Sequence, residues 1–220
     1  MTEIYNIQRR KRFFNINVNL LIVFINIFLF LCFTVLIYLN LIPLDYIALK
    51  PSNIVLGYYL WTFITSMFMH SGFFHLFANM LSLLFIGNLV ERILGKKRYL
   101  FFYLLAGLFA GIFFVLMSLI FPTDFNTYAV GASGAIFGLI GLLMVLTPNL
   151  PVYIMFIPIP IKMKYAAPAM LAVLWLISLL GNVSIGNTAH LGGLLCGLAY
   201  GFYLRKKYKR KTKYLSQIFS

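Results

Sequence analysis

Ser133 stands in the run Val130-Gly131-Ala132-Ser133-Gly134-Ala135-Ile136-Phe137-Gly138, flanked on both sides by alanine and glycine at the head of an apolar stretch. A hydroxyl surrounded by small residues is accessible, and with an adjacent base it becomes a nucleophile, so Ser133 is the candidate to attack a carbonyl. A second small-residue run, Ala189-His190-Leu191-Gly192-Gly193-Leu194-Leu195-Cys196-Gly197, carries one of the three histidines of the chain. A neutral imidazole can take the proton that serine must lose, so Ser133 and His190 make an acyl-transfer pair if the fold brings them together. His75 and Asn79 are four residues apart and share one helix face, where both can donate to an oxyanion developing on the attacked carbonyl. His70 precedes them. No carboxylate or cysteine joins the histidines at ligand spacing, so no metal site is expected.

Each of these features also has a purely architectural use. Small residues on membrane helices mediate close packing, and Gly134, Gly138 and Gly141, like Gly193, Gly197 and Gly201, recur every three or four residues. Asn and His commonly bond between helices. The architectural use assists the chemical one. If the two glycine faces pack together, Ser133 beside Gly134 and His190 one turn above Gly193 come within side-chain reach.

The elements that must position these residues are membrane spans. Of the 220 residues, 62% are hydrophobic and only 10% charged, well outside the range of a soluble globular protein. The expected fold is an all-α polytopic membrane protein, one domain over residues 1–220. The net charge of +14 falls in short clusters between apolar runs and at the two ends, with no separate soluble domain to present a binding face. The bilayer is therefore the expected partner, and nucleic acid is not. Cys32 and Cys196 lie within apolar runs and read as small packing residues.

In chain order, a basic segment 1–14 with Arg9, Arg10, Lys11 and Arg12 precedes a first span running to Ile42. Residues 43–69 form a first loop at the membrane interface, marked by Tyr58, Tyr59 and Trp61. Span two covers 72–90 and ends at the charge cluster 91–98; span three covers 99–121 and span four 131–146. Residues 152–164, with Pro158 and Pro160, bend along the interface. Span five is 165–180, span six 188–204, and 205–220 is a basic tail, solvated or facing lipid. Six spans place both termini on one side. The terminal segments and the loops after spans two and four hold 17 of the 18 Lys and Arg residues, with Lys50 alone opposite, so both termini are expected to be cytoplasmic.

This topology turns scattered polar residues into one layer. Spans two, four and six all run inward, so His70, His75 and Asn79, then Ser133, then His190 fall at a common depth near the outer surface. Spans four to six, of 16 or 17 residues, cover roughly 25 Å against a hydrocarbon core of about 30 Å. One end of each therefore sits below the surface, leaving room for a wet indentation.

Taken together, the residues resemble the rhomboid intramembrane serine proteases. The resemblance covers nearly the whole six-span core: His70 and His75-x-x-x-Asn79, Glu91-Arg92 closing span two, Gly131-Ala132-Ser133-Gly134, and Ala189-His190-x-x-Gly193 with Gly197. It implies a six-helix rhomboid-like bundle, a Ser133/His190 dyad, and an oxyanion hole from His75, Asn79 and the Ser133 backbone N–H. It also implies cofactor-free hydrolysis of the spans of other membrane proteins near the outer face. Two positions depart from the family's pattern. Thr62 follows Trp61 where many rhomboids have arginine, and Phe137 stands where many have tyrosine. The phenylalanine keeps a ring to pack on His190, as the family's tyrosine does.

The expected activity is peptide-bond hydrolysis through an acyl-enzyme on Ser133. Small residues and easily unwound helices are the preferred substrates, because a helical span hides its carbonyls in hydrogen bonds. A client-binding relative without catalysis is the first rival, disfavoured by the presence of both Ser133 and His190. A small transporter is the second, disfavoured by the lack of acidic residues inside the spans. No appended soluble domain is visible, which suggests a minimal prokaryotic form in the cell membrane.

Overall fold

The computed structural model describes residues 17–153, 159–181 and 185–218. The basic segment 1–14 lies outside them. Helix α1 (Val18–Tyr38) is capped by Asn17, whose side chain accepts the Leu20 N–H. After a turn at Leu44–Tyr46 come two short helices, α2 (Pro51–Val55) and α3 (Thr62–Thr65). Helices α4 (Phe73–Ser82) and α5 (Asn88–Leu94) join through a π turn at Leu83–Gly87 into one 22-residue rod. Then follow α6 (Lys96–Ser118), α7 (Ser133–Leu146), a two-stranded hairpin β1 (Pro151–Val152) and β2 (Ile161–Lys162), α8 (Met163–Gly181), α9 (Asn187–Lys207) and α10 (Lys209–Gln217).

The architecture is an all-α polytopic membrane fold. Four of the helices, Val18–Tyr38, Phe73–Leu94, Lys96–Ser118 and Met163–Gly181, are long and apolar enough to cross a membrane. The other two expected spans are the special ones. Helix α7 is short, and every residue of it except Ser133 and Met144 is buried. Helix α9 is diluted by glycine and polar residues, and it packs along α7. Large apolar side chains such as Phe24, Phe28, Phe85, Phe101 and Leu179 point outward, which suits acyl chains and would be ruinous in water. Inside, buried polar residues such as Asn19, Asn26 and Asn79 sit among large buried side chains such as Tyr99, Phe102 and Leu139.

Close backbone approach sets the α7–α9 pairing. A Cβ on Gly193 would fall onto the Gly134 carbonyl, and one on Gly197 onto the Gly138 carbonyl, while Ala106 and Ala110 of α6 close the third side of α7. Only residues without a side chain permit two helices to run this close over three turns.

Several details differ from the sequence-based expectation. Span two does end inside the charge cluster 91–98, at Gly95, with Arg92, Lys97 and Arg98 exposed, but α5 runs to Leu94, beyond the expected end at 90. Glu91 is instead buried and accepts the Val18 and Asn19 N–H groups at the start of α1, at 3.1 and 2.7 Å, where the helix dipole favours an anion. Asn19 in turn donates to the Leu83 carbonyl of the π turn and accepts from Tyr99 Oη. Residues 151–162 return as a hairpin rather than a bend, with 154–158 outside the described residues. The basic tail is helical over α10 and is tied to the bundle through Leu215.

The first loop is well packed for a connection. Ile47, Ala48 and Leu49 are buried, Leu49 and Ala129 exchange backbone hydrogen bonds, and Thr65 Oγ1 donates to the Ile47 carbonyl. Thr62 is buried as well, its hydroxyl donating to the Tyr59 carbonyl at 2.7 Å. That accounts for threonine at this position: it closes its own turn rather than reaching outward.

Candidate active site

Ser133 is the first residue of α7, so its backbone N–H has no acceptor within the helix. The turn before it depends on Gly131, whose φ of +118° is open only to glycine and whose N–H is held by the Ser66 carbonyl at 2.8 Å. His190 lies in the first turn of α9, 7% exposed. The glycine contacts between α7 and α9 bring the two residues together, and His190 Nε2 lies 2.7 Å from Ser133 Oγ.

The ring of His190 is stacked on Phe137, centroids 4.7 Å apart and planes inclined by 21°. Phe137 is one helical turn below Ser133, so a single helix presents both the hydroxyl and the plate on which the imidazole rests. Nδ1 of His190 is buried and has no hydrogen-bond partner among the described residues. Neither of the loop carboxylates Asp45 and Asp124 is bonded to it. Asp45 accepts from Asn53 Nδ2 at 2.7 Å and from Tyr128 Oη at 3.0 Å, while Asp124 accepts from Thr188 Oγ1 at 3.1 Å. Asp124 thereby ties the loop after α6 to the first turn of α9, two residues ahead of His190.

His75 lies across the turn from Ser133. A Cβ built on Gly131 would stand 2.9 Å from His75 Nε2 and 3.6 Å from Ser133 Oγ, so the imidazole fills the space that this glycine leaves. Its tautomer follows from its neighbours. The Ser71 backbone N–H, which can only donate, points at His75 Nδ1 at 3.3 Å, and Ser71 Oγ is 3.0 Å from the same atom. Nδ1 is therefore the acceptor, and a neutral His75 carries its proton on Nε2, the nitrogen beside Gly131 and Ser133. Sequence reasoning passed over Ser71. The available signal was its position four residues ahead of His75, next to the start of a helix.

Asn79 is buried one turn below His75. Its amide donates to the His75 carbonyl at 2.8 Å, and its Oδ1 is buried without a partner among the described residues. His70 is 1% exposed and packs edge-on against His75 and Phe30, at centroid distances of 5.2 and 6.0 Å. It is a wall behind His75, away from Ser133. Among the described residues no group of three His, Cys, Asp or Glu side chains is placed to hold a metal ion.

The arrangement has the parts that acyl transfer requires: a hydroxyl beside an imidazole, at a helix N-terminus, with an N–H donor facing it across a glycine. Residues 58–207 match the model of the Rhomboid domain. RHOMBOID-like protein 1 of Arabidopsis thaliana is 36% identical over 162 residues, which is 70% of this chain and 37% of that protein. A Bacillus subtilis (strain 168) protein, YdcA, provisionally named as a rhomboid protease, is 35% identical over 69% of this chain and 70% of its own length. Arabidopsis thaliana also has a relative named Inactive RHOMBOID-like protein 8, 33% identical over 62% of this chain. The matched stretch spans less than half the length of these plant relatives, 37% and 36%.

Proposed function

The chain belongs to the rhomboid family, and from that premise we propose that it is an intramembrane serine endopeptidase acting on the spans of other membrane proteins. The observation that carries this reading is the 2.7 Å separation of Ser133 Oγ and His190 Nε2 at the N-terminus of a buried helix.

In the proposed reaction Ser133 Oγ attacks the carbonyl carbon of the scissile peptide bond as its proton passes to His190 Nε2. The carbonyl oxygen takes the negative charge, and the His75 Nε2–H, the Asn79 amide and the Ser133 backbone N–H stabilise it. Collapse of this intermediate expels the amine, which takes the proton from His190, and leaves an ester on Ser133. Water then gives a proton to His190 and attacks the ester. The product acid leaves, and Ser133 Oγ recovers its proton. Gly131 leaves the space beside Ser133 Oγ open, Gly134 admits Ala110 of α6 against α7, and Gly193 permits the helix contact that seats His190.

The distribution of Lys and Arg supports cytoplasmic termini in a cell membrane, with the site near the opposite face, where unwound, small-residue segments of substrate spans are the expected targets. A client-binding role without catalysis is the reading that an inactive relative brings forward. A fluorophosphonate probe separates the two, because it reacts only with an activated serine. The purified chain should label and cleave a model membrane substrate in proteoliposomes, and Ser133→Ala should do neither while keeping its melting temperature. Wild-type protein that stays unlabelled, or a variant that still cleaves, overturns the protease reading.

A further inference from the structure

At the other end of α7 and α9 lies a groove of about 610 Å³ whose lining includes four cations, Arg205 and Lys206 from the last turn of α9 and Lys209 and Lys213 from α10. Helix α7 is 14 residues long, so this groove is roughly 20 Å from Ser133. The helical repeat builds it. Positions 209, 212, 213 and 216 form one stripe of α10, and that stripe faces the groove. Leu215 and Tyr208, packed against the core, hold α10 in place.

Among the described residues no carboxylate neutralises these cations. No aspartate or glutamate follows Asp124 in the sequence. Glu91 is already held by the Val18 and Asn19 N–H groups. Lys209 and Lys213 are four apart on one helix and repel each other unless an anion bridges them. The remaining wall is apolar, made by Val145, Pro148 and Phe202, and Phe202 faces outward from the bundle where acyl chains run.

We propose that this groove binds the phosphate headgroup of an anionic phospholipid, with Phe202 against the first carbons of its chains. The cations attract the singly charged phosphate diester of an anionic headgroup, and the apolar wall beside them matches a lipid rather than a free anion. The site is separate from the Ser133 centre, and its test does not depend on catalysis.

The full chain in detergent is titrated with short-chain phosphatidylglycerol, with the same-chain phosphatidylcholine and with inorganic phosphate, and binding is read by native mass spectrometry and by the melting temperature. Phosphatidylglycerol should bind saturably and raise the melting temperature, and the other two should not at equal concentration. Lys209→Ala/Lys213→Ala should weaken that binding about twenty-five-fold, near fivefold for each cation removed beside an anionic headgroup. Arg210→Ala/Lys211→Ala removes the same charge from other faces of the same helix and should weaken it less than threefold. Equal losses in the two double variants would mean diffuse charge and overturn the site. Equal binding of inorganic phosphate would make it a free-anion site and overturn the lipid, and absence of saturable binding would overturn both.

Discussion

His75 occupies the space that Gly131 leaves: a Cβ on that glycine would stand 2.8 Å from the imidazole Cε1 and 2.9 Å from Nε2. The same glycine has φ +118°, so a side chain there strains the backbone and also displaces the ring. Gly131→Ala should therefore cost about 1–3 kcal/mol of stability from the backbone strain. It should lower kcat by at least about 10²-fold by moving an oxyanion donor. Circular dichroism with cleavage kinetics on a reconstituted substrate checks both. A fully active alanine variant would show that His75 is not held by this contact.

The His75 tautomer leads to a ranking of variants. His75→Ala removes the Nε2–H donor and should cost about 10²-fold to 10³-fold in kcat. Asn79→Ala should cost less, since its amide already serves the His75 carbonyl and the other donors remain. Ser71→Ala keeps the backbone N–H that sets the tautomer and should lie closest to wild type. If the three variants were reversed in order, the assignment of the donors would be wrong.

Phe137 carries the imidazole of His190, the proposed base. An aromatic contact of this kind contributes about 0.5–1.5 kcal/mol beyond its buried area, so Phe137→Ala should lower kcat by several-fold or more with KM little changed. Phe137→Tyr keeps the ring and should retain activity. Loss of activity in the tyrosine variant and not in the alanine one would rule out stacking as the means by which His190 is oriented.

The two loop carboxylates are engaged elsewhere, Asp45 with Asn53 and Tyr128, Asp124 with Thr188. Asp45→Asn, Asp124→Asn and their combination should each stay far from the roughly 10⁴-fold loss that follows removal of a triad carboxylate. Asp124→Asn should cost the most of the singles, because it loosens the first turn of α9 ahead of His190. A 10⁴-fold drop in kcat with the fold intact would replace the dyad by a triad.

Much of the architecture is legible from the sequence because the bilayer imposes it. A stretch that must satisfy its backbone in hydrocarbon becomes a helix, and the Lys and Arg clusters mark where stretches end. The boundaries slipped where a polar group found a partner inside the protein. Glu91 and the charges after it read as a break, yet α5 continues to Leu94 because the carboxylate is taken by N–H groups of α1, more than seventy residues away in the chain. The hairpin at 151–162 is apolar but interrupted by Pro158 and Pro160, and α10 is dominated by Lys and Arg, so neither shows a period that names its structure.

At the site, residue type and spacing singled out Ser133, His190, His75 and Asn79, because a serine set among glycines and alanines stands out, histidines number only three, and their spans run in the same direction. What sequence could state only as a condition was contact. Tertiary structure supplied it through backbone: glycines of α7 and α9 meet carbonyl to Cα, which sets Oγ and Nε2 2.7 Å apart. The tautomer of His75, the role of Ser71 and the tie from Asp124 to Thr188 belong to the tertiary structure alone. They depend on which atom of a side chain faces which donor, a matter of ångströms that composition and periodicity do not encode.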